Sequence, residues 1–91
     1  MPLTDTEISS RLKSLPDWKI ESGELTRTFT FKDFVGSLAF VNAVASLAEK
    51  AGHHPDIDIR YNRVRLALVT HDAGGLTAKD FDLAAAVDGQ K

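Results

Sequence analysis

The chain has 91 residues, of which 43 % are hydrophobic and 26 % charged, and a formal net charge of −2. This is the composition of a soluble globular domain, and we expect residues 1–91 to form a single domain. The acidic balance excludes a surface built mainly for nucleic acid, and the absence of cysteine excludes disulfides and thiolate metal sites. Without a signal-peptide pattern or an apolar run of roughly 20 residues, we expect a cytoplasmic protein with no membrane contact.

The N-terminal third predicts one short helix followed by a β-hairpin. Thr4 and Glu7 have the spacing of a capping box, which predicts the start of a helix. Its apolar stripe runs to Leu15, and Pro16 stops it. Apolar and polar residues then alternate on both sides of a turn at 22–24, which predicts two paired strands.

The longest predicted helix runs from about Asp33 to Ala51 and ends at Gly52, where a left-handed C-cap belongs. Its apolar residues form two overlapping sets: Phe34, Leu38, Val41, Ala45 and Ala48 in one, and Phe40, Val44 and Leu47 in the other. A helix so apolar must be covered on more than one side. Because a sheet covers only one side, and a core of this size is thin, we expect a second copy of the protein to cover another.

A second hairpin and a last helix complete the chain. Strands around Ile57 and Leu66 flank a turn at 61–63. Thr77 begins the last helix with Asp80 at its third position, a capping pattern that by itself explains Asp80. The order α-β-β-α-β-β-α predicts an α+β fold, a four-stranded antiparallel sheet with helices packed on one face.

The three histidines of the chain are predicted to lie close together. A two-residue turn at Asn62-Arg63 places His54 opposite His71, and directly opposed residues have Cβ atoms about 5 Å apart. His53 is then beside them, and imidazoles exchange protons near neutral pH. Glu49, one helical turn before His53, is either a carboxylate that orients a histidine or a solvated helix-end residue.

A metal site is the alternative use of these histidines. Adjacent ligands such as His53 and His54 generally point apart, and the chain has no H-E-x-x-H pattern. We therefore predict proton transfer without a metal. Tyr61 is interpreted as a packing residue, and Arg63 and Arg65 as solvated or subunit-contact residues, too few for a nucleic-acid surface.

These residues resemble a known family pattern. The run Glu49-x3-His53-His54-Pro55-x5-Tyr61-x9-His71-x8-Asp80 is similar to the signature of the pterin-4a-carbinolamine dehydratases, and the likeness runs from about Trp18 to Ala85. The resemblance implies dehydration of 4a-hydroxytetrahydrobiopterin, a substrate made by aromatic amino acid hydroxylases, with no metal or organic cofactor. It also implies the four-stranded α+β fold and a homodimer or homotetramer.

The resemblance also assigns roles to residues. His53 and His71 would be general acids on opposite faces of the pterin, and His54 would bind and orient the ring. Glu49 and Asp80 would support them. The substrate would be lined by two segments: Gly52, His53, His54 and Pro55 in the first, and Val69, Thr70, His71 and Asp72 in the second.

Two positions depart from the family pattern. Family members often have Asp at the position of Gly52 and Trp at the position of Ile57, so stacking on the pterin would be weaker here. The alternative to an enzyme is a non-catalytic dimeric interaction module on the same fold, a chaperone or a transcription cofactor. Retention of the three histidines favours the enzyme.

Overall fold

The computed structural model describes residues 2–90 and has the predicted order of helices and strands. The elements are α1 (Asp5–Leu12), β1 (Lys19–Glu21), β2 (Glu24–Thr30), α2 (Phe34–Ala51), β3 (Asp56–Arg60), β4 (Arg63–Leu68) and α3 (Ala78–Asp88), with a 3₁₀ turn (His71–Ala73) before α3. The four strands form one antiparallel sheet in the order β1-β2-β4-β3. The predicted α+β fold is therefore confirmed.

The core lies between one face of the sheet and the helices. Alternate residues of the two central strands are buried on this face, and α2 and α3 pack against them: Leu25, Phe29, Val64, Leu66, Leu68, Phe40, Val44, Ala48, Phe81, Leu83, Ala84 and Val87. Full burial of a Leu, Val or Phe side chain stabilises a fold by about 1.5–3 kcal/mol. The burial of one strand face explains why the helices lie together on that side.

The first helix is shorter than predicted. Its capping box is confirmed, because Glu7 N donates to Thr4 Oγ1 and Thr4 N donates to Glu7 Oε1. The helix ends at Leu12 and not beside Pro16, and Leu15 N donates to Leu12 O in a tight turn. This turn places the side chain of Leu15 in the core, where it is buried. The apolar character of Leu15 therefore reflects tertiary packing and not helical periodicity.

The central helix α2 buries one stripe and exposes another. Asp33 caps its first turn by accepting a hydrogen bond from Gly36 N. The buried residues are Ser37, Phe40, Val44 and Ala48. Phe34, Val35 and Leu38 point outward, with 46 %, 74 % and 39 % of their surface exposed. By length and composition α2 would also meet the requirements of a membrane-crossing segment, but its buried stripe places it on the sheet.

The second hairpin is shifted by two residues from the predicted register. Arg60 pairs with Arg63, so the two turn residues are Tyr61 and Asn62, and not Asn62 and Arg63. Tyr61 takes a φ of +52°. Asn62 O accepts a hydrogen bond from Phe31 N, and Asn62 Nδ2 donates one to Phe31 O, directly after the end of β2. The Tyr61 side chain is 65 % exposed, so its predicted packing role is wrong.

Candidate active site

A cleft of about 230 Å³ opens where the end of α2, the end of β4 and the start of α3 meet. Its lining residues are Gly52, His53, His54, Val69, Thr70, His71, Asp72 and Lys79. The fold thus brings the three histidines to one cavity, together with most of the residues expected to bind the substrate. Pro55 is the one expected residue that does not line this cleft, and Lys79 is a lining residue that was not expected.

The histidines lie close together, but not through the strand pairing that was predicted. The turn lies at Tyr61-Asn62, and the last β3–β4 pair before the cleft is Asp56 with Ala67. Extending this pairing by two residues places His54 opposite Val69. The predicted direct pairing of His54 with His71 is therefore wrong. Instead, Gly52 takes a φ of +63° as the C-cap of α2 and turns the chain into the cleft, while His71 begins the 3₁₀ turn that follows β4.

His53 is held by a buried carboxylate. Its Nε2 lies 2.5 Å from Oδ1 of Asp80, whose exposed fraction is 0 %. The other oxygen of Asp80 accepts bonds of 2.9 Å from Thr70 Oγ1 and from Thr77 N. With Asp80 as the acceptor, Nε2 of His53 carries the proton, and Nδ1 is the nitrogen left for a ligand. Asp80 therefore caps α3, as predicted, and also fixes the orientation of His53.

The second histidine–carboxylate pair lies at the surface. Nε2 of His54 is 2.6 Å from Oε2 of Glu49, and the two side chains are 62 % and 76 % exposed. Solvent weakens the interaction of such an exposed pair. Glu49 thus contacts a histidine, as one of its two predicted interpretations required, and the histidine is His54.

His71, unlike the other two histidines, has no carboxylate partner in the described part of the chain. It is exposed in the 3₁₀ turn, and between residues 2 and 90 its ring takes part in no hydrogen bond or ion pair. Both of its nitrogens are accessible to a ligand or to water. One fixed and two accessible imidazoles can supply a proton donor and a proton acceptor at the same time. In the described part of the chain, no three His, Asp or Glu side chains are grouped to hold a metal ion.

Comparison with known proteins assigns the family. The family profile described as Pterin 4 alpha carbinolamine dehydratase matches residues 1–90. The chain belongs to the pterin-4a-carbinolamine dehydratase family. A protein of Acidobacterium capsulatum, provisionally named as such a dehydratase, is 66 % identical over 86 residues, which are 94 % of each chain. A protein of Nostoc sp. with the same provisional name is 54 % identical over 85 residues, 93 % of this chain and 91 % of its own.

Two solved structures of pterin dehydratase-like proteins share the fold. The crystal structure of a transcriptional coactivator/pterin dehydratase from Brucella melitensis has a TM-score of 0.93 and 35 % identity, and covers 98 % of this chain and 97 % of its own. A pterin dehydratase-like protein identified as a RuBisCO assembly factor in the alpha-carboxysome has a TM-score of 0.64 and 27 % identity, over 79 % of this chain and 83 % of its own. The resemblance to the family is confirmed.

Lys79 was not predicted from the sequence as a residue of the cleft. The residue lies in the first turn of α3, directly before Asp80. Because Asp80 contacts His53, the first turn of α3 lies beside the cleft. The signal that was available is the Thr77-x-x-Asp80 pattern, which was interpreted only as a helix cap.

Proposed function

We propose that the protein dehydrates 4a-hydroxytetrahydrobiopterin to the quinonoid dihydropterin and water. The observation that supports this proposal is the meeting of His53, His54 and His71 at one cleft, with His53 bonded to the buried Asp80. Such an enzyme would act in the cytoplasm, where it would take its substrate from an aromatic amino acid hydroxylase and return the pterin for reduction.

The reaction requires one proton to be delivered and one to be removed. The C4a–O bond breaks as the protonated hydroxyl leaves as water, N5 loses its proton, and a C4a=N5 double bond forms, with no net oxidation. In our proposal His53 and His71 exchange these protons on the two faces of the ring, and His54 orients it. Histidine is suited to both transfers, because its unperturbed pKa of about 6.5 lies near the operating pH.

The test is a stopped-flow assay with chemically generated 4a-hydroxytetrahydropterin. We expect the protein to accelerate dehydration, and His53→Ala and His71→Ala to lower kcat by about 10²- to 10⁴-fold. His54→Ala should act mainly on KM, since its proposed role is binding. Asn42→Ala, an exposed residue of α2, is the control. A wild-type rate equal to the spontaneous rate would refute the proposal.

A non-catalytic interaction module is the second candidate function. It is supported by the solved relatives, one described as a transcriptional coactivator/pterin dehydratase and the other as a RuBisCO assembly factor. The two functions differ in their need for the histidines. If a gene carrying His54→Ala and His71→Ala restores the full phenotype of a deletion strain, the interaction module is the correct function; if it fails while the wild-type gene succeeds, the enzyme is.

We also propose that the protein is a homo-oligomer. The support is the exposed apolar surface formed by Phe34, Val35 and Leu38 of α2, which a second copy would cover. Sedimentation velocity should show a dimer or tetramer, and Val35→Glu should shift it towards the monomer. Ser9→Glu, at an exposed position of α1, should leave the sedimentation coefficient unchanged. A wild-type monomer at high protein concentration would contradict this proposal.

A further inference from the structure

A second cavity adjoins the histidine cleft. It is a groove of about 350 Å³ between the C-terminal half of α2 and the helix α3, called here the helix groove. Its lining residues are Leu47, Lys50, Ala51, His53, Lys79, Asp82, Leu83 and Ala86. His53 and Lys79 line both the helix groove and the histidine cleft. The two cavities therefore meet at these two side chains.

The volumes suggest that a ligand uses both cavities. Sites for small molecules usually measure about 300–1,000 Å³, and the histidine cleft alone, at about 230 Å³, is smaller. Most residues that line the histidine cleft are polar, which suits a polar bicyclic ring. The walls of the helix groove at Leu47, Ala51 and Leu83 are apolar. A substituent on that ring would pass His53 and Lys79 to reach them.

The charges along the helix groove are unbalanced. Lys50 and Lys79 contribute two ammonium groups and Asp82 one carboxylate. Oδ1 of Asp82 also lies 3.9 Å from Nη1 of Arg11, a third cation near this end of the groove. Within residues 2–90 neither lysine is in an ion pair. The helix groove thus combines an apolar wall with a net positive charge.

We propose that the helix groove binds the C6 substituent of the pterin, and that Lys50 and Lys79 favour a substituent ending in a carboxylate. This inference rests on the proposed function, because it assumes that the pterin ring occupies the histidine cleft. It extends that function by naming a substrate class: pterins with a long, partly apolar C6 substituent and an acidic end.

Equilibrium binding of stable 7,8-dihydropterins tests this inference without depending on turnover. The probes are 6-methyl-7,8-dihydropterin, which carries almost no substituent, 7,8-dihydrofolate, which ends in two carboxylates, and the neutral diamide of 7,8-dihydrofolate. By calorimetry at low salt, we expect the diacid to bind about fivefold more tightly than the diamide, the upper range for an exposed ion pair. This preference should fall at 1 M salt, where screening acts over only about 3 Å.

Two variants separate the charge from the groove itself. Lys50→Gln should reduce the preference for the diacid over the diamide, and Lys32→Gln, an exposed lysine before α2, should not. Ala86→Phe should fill the groove and raise the Kd of both long ligands relative to that of the 6-methyl ligand. Ala85→Phe, at the neighbouring exposed position of the same helix, is its matched control.

The outcomes distinguish this inference from the proposed function. If the 6-methyl ligand binds but the diacid and the diamide bind equally well, and Ala86→Phe weakens neither, the inference is wrong and the proposed function stands. If no dihydropterin binds although the wild type accelerates dehydration in the stopped-flow assay, the inference is wrong and the proposed function stands; if the protein neither binds a dihydropterin nor accelerates dehydration, both are wrong. If Ala86→Phe weakens the long ligands but Lys50→Gln leaves the diacid preference intact, the preference for an acid through Lys50 is wrong.

Discussion

At the scale of single residues, Asp80 joins the scaffold to the proposed chemistry. One of its oxygens accepts hydrogen bonds from Thr70 and Thr77, and the other contacts His53. A carboxylate that is fully buried is stable only when its oxygens are satisfied by donors. The position of the His53 ring is therefore set by the same group that begins the last helix.

We predict that Asp80→Asn lowers both stability and activity. The amide cannot accept the three hydrogen bonds that the carboxylate accepts, and we expect a loss of about 3 kcal/mol in the free energy of unfolding by urea titration. The value of kcat should fall about 10- to 100-fold, the loss typical when the carboxylate partner of a metal-bound histidine is removed. In a His53→Ala background Asp80→Asn should lower kcat little further, because it acts through His53. Additive losses in kcat would contradict this positioning role.

The exposed pair of Glu49 and His54 should behave differently. Because both side chains are largely exposed, Glu49→Gln should change the free energy of unfolding by less than about 1 kcal/mol. Its effect should appear in KM and weaken with salt, since water and ions screen this pair. A loss as large as that of Asp80→Asn, in the same urea titration, would show that exposure is a poor guide to the strength of these pairs.

The residue types of the candidate site were predictable from sequence, but their contacts were only partly so. The spacing of His53, His54 and His71 identified the family and placed them near one another. The bond between Asp80 and His53 joins residues 27 positions apart, and no local pattern shows it. Lys79 was missed for the same reason, since its position depends on how α3 docks.

At the scale of elements, the end of α2 aims the histidine loop. Gly52 has a φ of +63°, and the cap is closed by bonds from Gly52 N to Glu49 O and from His53 N to Ala48 O. A Cβ at Gly52 would meet no atom within 4 Å. Glycine is therefore favoured at this position by the left-handed backbone conformation, and not by crowding from neighbouring atoms.

We predict that Gly52→Ala costs about 1 kcal/mol of unfolding free energy, the strain of the left-handed conformation for a residue with a Cβ. Gly52→Asn should cost less, because Asn tolerates this conformation better. Thermal unfolding of the two variants gives the comparison. Equal or reversed losses would mean that the local conformation of the cap does not decide the stability.

The register of the second hairpin shows why strand pairing was harder to predict than strand identity. The chain has no strong two-residue turn signal between β3 and β4, and Asn62 suggested a turn one residue later than the real one. In the structure, hydrogen bonds between Asn62 and Phe31, the residue directly after β2, hold the turn in place. The decisive contact comes from another hairpin, so local composition did not determine it.

The open face of the sheet carries a charge network centred on Glu21. Arg65 donates to Oε1 of Glu21 at 3.1 Å, and Thr26 donates to it at 3.0 Å. These bonds, with Arg65 as the largest cause, lower the pKa of Glu21 below its usual 4.5. A carboxyl whose pKa is lower in the folded state stabilises the fold above its unfolded pKa, and this stability is lost as the pH falls.

We predict that Arg65→Met raises the pKa of Glu21 towards its usual value, as measured by NMR titration of the side-chain carboxyl. The difference in stability between wild type and variant should be present at neutral pH and shrink as the pH falls through the range below 4.5. Arg63→Met, an exposed arginine of the same strand, is the control and should leave the pKa of Glu21 in place.

At the scale of the whole molecule, side-chain hydrogen bonds connect the last helix to the start of the sheet. Trp18 Nε1 lies 2.9 Å and 3.1 Å from the two oxygens of Asp88, and Arg27 Nη1 is 2.8 Å from one of them. Arg27 has only 14 % of its side chain exposed. These contacts join β2 and the residue before β1 to the C-terminal end of α3, at the opposite end of that helix from Asp80.

We predict that Asp88→Ala lowers the free energy of unfolding by about 2 kcal/mol, since it removes hydrogen bonds between charged and part-buried groups. Asp82→Ala, an exposed residue of the same helix, should cost much less in the same urea titration. Because Asp88 is far along α3 from the histidine cleft, the folded variant should keep its kcat. A large loss of kcat in fully folded Asp88→Ala would contradict this separation.

The overall layout was predictable from sequence because it depends on local patterns. Alternating strands, capped helices and turn residues gave the order of elements and the one-sided arrangement of helices. The outward stripe of α2 was visible as excess apolar surface. Which of its residues face the sheet depends on the packing of Phe40 against Phe29 and Phe31, and periodicity does not determine this.

The cleft is built from three segments that are distant in sequence: the cap of α2, the end of β4 and the first turn of α3. No single continuous segment of the chain forms the cleft. Because α3 also contributes Phe81, Leu83, Ala84 and Val87 to the core, undocking of this helix would open the cleft and the core together. In a urea titration, loss of the cleft should therefore coincide with loss of the tertiary core and should not precede it.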